Sequence, residues 1–105
     1  MTEDYKKEFI QRITRNLLDI QLLRLVEAEP MWGYKIIKTV ENDLNIKLRH
    51  SALYPMLNHL EKEGFLTSQS QRENGRVRKV YSITKKGREY LESYYAVLKD
   101  QMKAK

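Results

Sequence analysis

The stretch RHSALYPMLNHLEKEGF, residues 49–65, decides how this chain folds. Its apolar residues recur at intervals of three and four, which predicts a helix with one buried face. Pro55 lies inside that pattern, although a proline is tolerated in a helix only near its beginning. We therefore expect a helix over about residues 51–63, with Ser51 as its N-cap or, alternatively, with Pro55 as its first residue.

The face of this helix that points away from the apolar residues is polar and aromatic. Arginine, histidine, serine, tyrosine and asparagine side chains at the beginning of a helix can donate hydrogen bonds to phosphates and to base edges. For Tyr54, partial burial as a core aromatic is an equal alternative. The candidate DNA-contacting residues of the helix are Arg49, His50, Ser51, Tyr54, Pro55 and Asn58.

Three amphipathic segments precede this helix. Residues 1–15 carry apolar side chains at helical spacing, and residues 16–29 repeat that spacing until a proline ends it. We expect either two helices, with a break near residues 14–16 and Asn16 as the second N-cap, or one long kinked helix. The segment WGYKIIKTVENDLNI predicts a further amphipathic helix that opens after Gly33.

The period of the pattern changes to about two after the helix ends. Two strand-like arms flank Asn74–Gly75, and this dipeptide is the strongest short signal for a hairpin turn. The sequence predicts a hairpin over about residues 66–83, with Leu66 opposite Ile83. Its base is apolar and belongs to the core, whereas its charged tip projects into solvent.

The last segment, residues 85–105, predicts a long helix capped by Thr84. Its apolar stripe continues well beyond the length that the core of so small a domain requires. The stripe either folds back on its own domain or forms the seam of a dimer, and its length favours the dimer. The candidate dimerisation residues are Leu91, Tyr94, Tyr95, Leu98 and Met102.

After the N-terminal helical extension, three helices, a hairpin and a long helix follow one another in this chain. That is the order of a winged helix-turn-helix unit, in which the third helix lies in the major groove of DNA. We expect a single, mainly α domain with a small β-hairpin over residues 1–105. It consists of an N-terminal helical extension (1–15), the winged unit (16–88) and a C-terminal dimerisation helix (85–105).

Positive charge is concentrated on the hairpin and on the beginning of the last helix. The chain has a net charge of +6, and residues 67–90 hold seven basic side chains against two acidic ones. Concentration of this kind is typical of a surface that binds a polyanion, although a solvated hairpin tip is the alternative. The candidate phosphate-contacting residues of the wing are Arg72, Arg76, Arg78 and Lys79.

The sequence gives little indication of a metal site, a cofactor or an enzymatic activity. There is no cysteine for a disulfide or a zinc-thiolate site, and the only two histidines, His50 and His59, are nine residues apart. We expect no metal, no cofactor and no enzymatic activity, since no nucleophile and base are paired. No apolar run approaches the roughly 18 residues of a membrane span, so we expect a cytoplasmic protein with no membrane partner.

Three blocks in order resemble the PadR family of winged-helix transcriptional regulators: GYKI (33–36), ALYPMLNHLEKEGFL (52–66) and RKVYSITKKG (78–87). In that family Gly-Tyr opens the second helix and Leu-Tyr-Pro-x-Leu-x-x-Leu-Glu-x-x-Gly forms the third. The resemblance spans about residues 17–90. It implies a homodimeric DNA-binding repressor, dimerised through its C-terminal helix with help from the N-terminal one. A two-fold dimer predicts a palindromic operator on double-stranded DNA.

Two questions stay open at this level. Aromatic residues, among them Trp32 and Tyr90, form a candidate pocket for a small apolar or aromatic effector at the dimer seam. Core and dimer packing is the favoured alternative for them. The unit also has an alternative use, as a non-specific DNA-coating or protein-interaction module, because the fold does not dictate the function.

Overall fold

The structure, a computed structural model, describes residues 2–103 and has the predicted order of elements. The mainly α winged helix-turn-helix fold is confirmed, and a short additional strand precedes the helix that begins at Gly33. The elements of the described residues are α1 (Thr2–Asn16), α2 (Leu18–Ala28), β1 (Met31–Trp32), α3 (Gly33–Leu44), α4 (His50–Lys62), β2 (Leu66–Glu73), β3 (Arg76–Ile83) and α5 (Lys85–Met102). The last two residues of the predicted C-terminal helix, and Met1, lie outside the described part of the chain.

The first two helices are separate because the backbone leaves the helical region at Leu17, where φ is −123° and ψ is 46°. Asn16 ends α1, so its predicted role as the N-cap of α2 is wrong. Leu17 takes the N-cap position and offers no side-chain oxygen to the beginning of α2. The carboxylate of Asp19 compensates in part, because its Oδ1 accepts from the backbone N–H of Ile20 at 2.8 Å.

The helix α4 begins earlier than either predicted start. Arg49 is its N-cap, with extended backbone (φ −85°, ψ 147°), and the N–H of Leu53 closes the first helical hydrogen bond onto the Arg49 carbonyl at 3.0 Å. Neither Ser51 as N-cap nor Pro55 as first residue is therefore correct. Pro55 is the sixth residue, and because proline has no N–H, the carbonyl of Ser51 lacks its usual helical donor.

The end of α4 is closed by a Schellman motif. Gly64 takes the left-handed conformation at φ 85°, and the N–H groups of Gly64 and Phe65 donate to carbonyls of the last helical turn at 3.0 and 2.9 Å. The Phe65 carbonyl accepts from the N–H of Thr84 at 3.1 Å, and the Thr84 hydroxyl donates to the Gly64 carbonyl at 2.6 Å. Residues 64–65 thus join α4 to the chain that enters α5.

The hairpin has the predicted register. Asn74 and Gly75 both have positive φ, as a two-residue turn requires, and Leu66 lies opposite Ile83. The strand β1 adds to the free edge of β3 and makes a three-stranded sheet in the order β1-β3-β2. This strand was not predicted, since two residues are too short to show an alternating pattern.

The core is built where α2, α3 and α4 meet the base of the sheet. The hairpin contributes only its base to this core, while its tip is exposed. Among residues 2–103, no helix has both the length and the apolar character that crossing a membrane would require. The largest fully buried side chains are Leu22, Leu23, Ile36, Leu53, Leu57, Leu60, Leu66, Leu91, Val26 and Val40.

Candidate nucleic-acid interface

The exposed face of α4 carries the polar residues that the sequence singled out. Leu53, Leu57 and Leu60 are buried against the core, so the helix is oriented by one apolar side. The opposite side is left to solvent. All six predicted residues of this region are exposed: Arg49, His50, Ser51, Tyr54, Pro55 and Asn58.

Tyr54 is exposed and yet fixed in place. Its side chain is 40% exposed, and its phenol lies directly over Gly33, where an added Cβ would be 2.6 Å from the tyrosine Oη. The ring of His50, one turn earlier, stacks on the Tyr54 ring with centroids 5.6 Å apart. The alternative of a core aromatic is therefore replaced by a surface tyrosine that is wedged against the beginning of α3.

The four basic residues of the wing differ in their surroundings. Arg72 and Arg76 are exposed at the hairpin tip. Arg78 is partly buried, and its guanidinium carbon lies 4.5 Å above the centre of the Trp32 ring. Lys79 is exposed and forms an ion pair at 3.2 Å with Glu61. The tip arginines project from the molecule, whereas the next two cations lie against its body.

Glu61 links α4 to both strands of the wing. Its Oε2 accepts from the Ser68 hydroxyl at 2.5 Å, and its Oε1 pairs with the Lys79 ammonium. The Ser68 hydrogen bond, with the Lys79 cation assisting, lowers the pKa of Glu61 below its ordinary value. The pKa of Lys79 is raised, chiefly by its hydrogen bond to Glu61. This link was not predicted, because the sequence does not show which distant side chains will meet.

The helix and the wing face one another across a cleft of about 390 Å³. The cleft brings together Tyr54 and Asn58 from α4 with Arg78 and Lys79 from β3, so members of both predicted sets share one concave surface. Trp32 and Tyr34 were not predicted to lie there, although the Gly-Tyr pair opens the first matching block. The lining residues, which we name the α3–wing cleft, are Trp32, Gly33, Tyr34, Tyr54, Asn58, Val77, Arg78, Lys79 and Tyr81.

Within one chain, Trp32 and Tyr90, the two residues named for the effector pocket at the dimer seam, do not lie together. Pairing of β1 with β3 turns Trp32 toward the wing, under Arg78. The Tyr90 ring instead stacks on Phe65, with centroids 4.4 Å apart, and its hydroxyl lies 3.5 Å from the Asp19 carboxylate. Burial, and the nearby Asp19 charge, raise the pKa of Tyr90. Within residues 2–103 the two aromatics belong to different surroundings.

The predicted dimerisation stripe of α5 divides into two parts. Leu91 is fully buried in the core and Tyr94 packs against it. The Tyr95 hydroxyl accepts from Arg24 Nε at 3.2 Å, which ties this residue to α2 of its own chain. Beyond it, Leu98 and Met102 are 36% and 84% exposed. Only the end of the stripe is left without a partner in the described residues.

Comparison with known proteins gives one family. Residues 22–93 match the family model described as the transcriptional regulator PadR-like family. A curated protein of Lysinibacillus sphaericus, described as uncharacterized, is 32% identical over 82 residues, which is 75% of this chain and 75% of that relative. The family match runs from α2 into α5, so it contains both the exposed face of α4 and the wing.

Solved structures show the same fold. A PadR family transcriptional regulator from Eggerthella lenta DSM 2243 is 28% identical, with a TM-score of 0.72 and coverage of 95% of this chain and 90% of that one. A PadR-like transcription factor from Bacteroides fragilis reaches a TM-score of 0.77 at 24% identity, covering 87% of this chain and 88% of its own. At that identity the second likeness shows the fold alone.

Proposed function

This chain belongs to the PadR-like family of transcriptional regulators, and from that premise we propose that it is a homodimeric repressor that recognises a palindromic operator. Family membership makes it a DNA-binding regulator of transcription rather than an enzyme. In the proposal α4 enters the major groove and the wing holds the phosphate backbone. The palindromic operator, the homodimer and the repression of transcription are proposed in addition to family membership.

One observation carries the DNA-binding part of the proposal. The exposed face of α4 and the inner cations of the wing line the same cleft. A duplex that placed base edges against Asn58 would therefore bring its backbone near Arg78 and Lys79. Asparagine forms paired hydrogen bonds with adenine in the major groove, whereas arginine and lysine neutralise phosphates without reading sequence.

Two exposed apolar faces support the homodimer. The stripe on α1 contains Tyr5, Phe9 and Ile13, of which Tyr5 and Phe9 are 62% and 55% exposed. The only buried residue of α1 is Thr14, so this helix contributes almost nothing to the core of its own chain. The exposed end of α5 adds Leu98 and Met102. A second copy is the occupant that a self-complementary two-fold interface provides.

The experiment is selection of binding sites from a random duplex library, followed by titration of the selected site and of random DNA at several salt concentrations. We expect a palindromic site that is preferred over random DNA by at least about 10³-fold. Asn58→Ala should cost the selected site about 1–3 kcal/mol and leave random DNA unaffected. Arg76→Ala should weaken both alike and reduce the salt slope by about one.

The second candidate function is a non-specific DNA-coating protein. The concentration of positive charge on the wing favours it, because phosphate contacts carry no sequence information. Under that function the selection enriches no site, and Asn58→Ala weakens selected and random DNA equally. Strong binding with a steep salt dependence and no enriched sequence would establish the second candidate in place of the first.

A further inference from the structure

The α3–wing cleft contains hydrogen-bond donors and positive charges but few acceptor groups. Of residues 2–103, Arg78 and Lys79 are the two cations in its lining, and none of its lining residues carries a carboxylate. Glu61, which forms an ion pair with Lys79 of the lining, lies outside the lining itself, and its other carboxylate oxygen is bound to Ser68. The surface of the cleft is therefore electropositive, and an anion is the complementary occupant.

Two buried donors in this cleft have no acceptor among residues 2–103. They are the indole N–H of Trp32 and the Nε–H of Arg78, which lie beside each other because the guanidinium stacks on the indole. A buried donor that is left unpaired destabilises the folded protein. An oxyanion that entered the cleft and settled against these two groups would accept from both, so the unpaired donors point to a ligand.

The beginning of α3 adds positive potential to the same place. Gly33 and Tyr34, its first two residues, line the cleft. Trp32, the N-cap, supplies no side-chain acceptor, and the first turn contains no acidic residue. By contrast, Thr84 caps α5 and acidic residues lie in the first turns of α1 and α2. The N–H groups of α3, like those of α4, thus lack the compensation that those three helices have.

We propose that the α3–wing cleft is the seat of one DNA backbone phosphate, held by Arg78, by the indole N–H of Trp32 and by the beginning of α3. The inference rests on the proposed function, since the phosphate belongs to the bound duplex. Because Tyr54 of α4 lies against Gly33, a phosphate in this seat fixes how α4 enters the major groove. It acts on orientation and affinity and reads no base.

The first experiment uses the single tryptophan of the chain, whose indole N–H gives one nuclear magnetic resonance signal. The protein is titrated separately with inorganic phosphate, with chloride at matched ionic strength, and with a short duplex. We expect saturable shifts with phosphate and with the duplex and none with chloride. Arg78→Gln should abolish both shifts, and the matched variant Arg15→Gln, at an exposed position on α1, should retain them.

The outcomes separate this inference from the proposed function. A duplex that binds without moving the indole signal would overturn the phosphate seat and leave the regulator intact. A signal that moves with phosphate in a protein that binds no duplex would show an anion site that serves a ligand other than DNA. That result would overturn both the DNA phosphate and the proposed function.

The second experiment removes the indole N–H of Trp32 and keeps an aromatic ring at that position. Trp32→Phe still offers Arg78 an aromatic face, and because the lost N–H is unpaired within the protein, the melting temperature should not fall greatly. Affinity for selected and random duplexes should decrease alike, by about three- to tenfold, as for one lost hydrogen bond. Tyr90→Phe, which removes a hydroxyl outside the cleft, should bind as the wild type does.

Neutral methylphosphonates placed one at a time in the selected duplex locate the phosphate. For the wild type, one position in each half-site should cost affinity, and for Trp32→Phe that position should cost clearly less. Equal penalties in both proteins at every position would exclude the contact. A Trp32→Phe loss confined to the selected sequence would also overturn the inference, because a phosphate seat is blind to sequence.

Discussion

At Gly33 one absent side chain decides the geometry of the proposed DNA-binding face. The phenol of Tyr54 occupies the space in which a Cβ would stand, so α3 and α4 approach each other through this residue pair. The side chain of Tyr54 is held on a second side by His50. Glycine at this position is therefore a condition for the observed placement of Tyr54.

Gly33→Ala should impair DNA binding more than folding. The added methyl group meets the far end of the Tyr54 side chain, which can swing aside without disturbing the core. We expect an affinity loss of about tenfold, the equivalent of about 1.4 kcal/mol, with little change in the free energy of unfolding. Fluorescence titration with the selected duplex and urea unfolding measure the two quantities.

Gly87→Ala provides the contrasting variant. There the added Cβ meets the backbone carbonyl of Phe65, which cannot move without breaking the junction between α4 and α5. We expect destabilisation of about 1–3 kcal/mol or more, as for overpacking elsewhere. If Gly33→Ala lost as much stability as Gly87→Ala, the placement of Tyr54 would not be the reason for its effect.

On the scale of the element, α4 tolerates a proline in its second turn. The cost is one missing helical hydrogen bond at the Ser51 carbonyl, on the exposed side of the helix. Water can reach this side, so the helix continues through Pro55 to its Schellman end. The proline shows that this helix is held chiefly by its buried leucines and less by its own backbone.

Pro55→Ala should stabilise the protein, because it restores the N–H that bonds to the Ser51 carbonyl. The gain is bounded by the roughly 3 kcal/mol penalty of proline in a helix interior, less about 0.4–1 kcal/mol of added entropy in the unfolded chain. Urea unfolding of the variant and the wild type measures the difference. An unchanged or lower stability would mean that the proline ring itself makes packing contacts that outweigh the lost hydrogen bond.

The link between α4 and the wing should be sensitive to acid. Since the pKa of Glu61 is lowered in the folded protein from the ordinary 4.5, its carboxylate stabilises the fold above that value. This stabilisation is lost as the pH falls through the lower, folded-state pKa. Glu61→Gln should therefore be less stable than the wild type at neutral pH, and the small difference should close in acid.

Thermal melting of both proteins across this pH range measures the effect. Ser68→Ala removes the main cause of the lowered pKa, so its stability difference from the wild type should close in the same direction. If the stability difference between variant and wild type persisted unchanged into acid, packing rather than the ionised Glu61 would connect the wing to α4.

Helices, strands and turns that depend on neighbouring residues were predictable from the sequence. Contacts between side chains that are distant in the sequence were not. The hairpin register followed from Asn74–Gly75, and the buried face of α4 followed from its leucine spacing. The strand β1 was not predicted, because it forms only through its pairing with β3. Likewise, nothing local indicates that Arg78 will lie on Trp32 instead of projecting with Arg76, since that choice depends on where β1 places the indole.

On the scale of the whole molecule, two apolar faces lie outside the core: the stripe on α1 and the end of α5. They lie at the two ends of the chain, whereas α4 and the wing lie between them in sequence. None of the apolar residues of these two faces lines the α3–wing cleft, so a dimer built through them can form without filling that cleft. Assembly and DNA binding would then use separate surfaces.

Leu98→Asp should produce a folded monomer that binds the selected site weakly. Leu98 is 36% exposed within one chain, so a carboxylate there reaches water in the monomer but is buried by the proposed interface. Ala96→Asp, on the opposite side of α5, is the matched control and should remain dimeric. Sedimentation equilibrium measures the mass, and a dimeric Leu98→Asp protein would show that the seam lies elsewhere.

The junction at residues 64–65 has a consequence for how the chain can change in length over evolution. These two residues close α4, begin the wing and bond to Thr84 ahead of α5, so one inserted residue would misplace three elements at once. The turn at Asn74–Gly75 connects only the two strands of the wing. The strands can lengthen there in pairs of residues without altering the register of β2 and β3 at the base of the hairpin. Insertions and deletions among relatives should accordingly gather at the wing tip and spare residues 63–66.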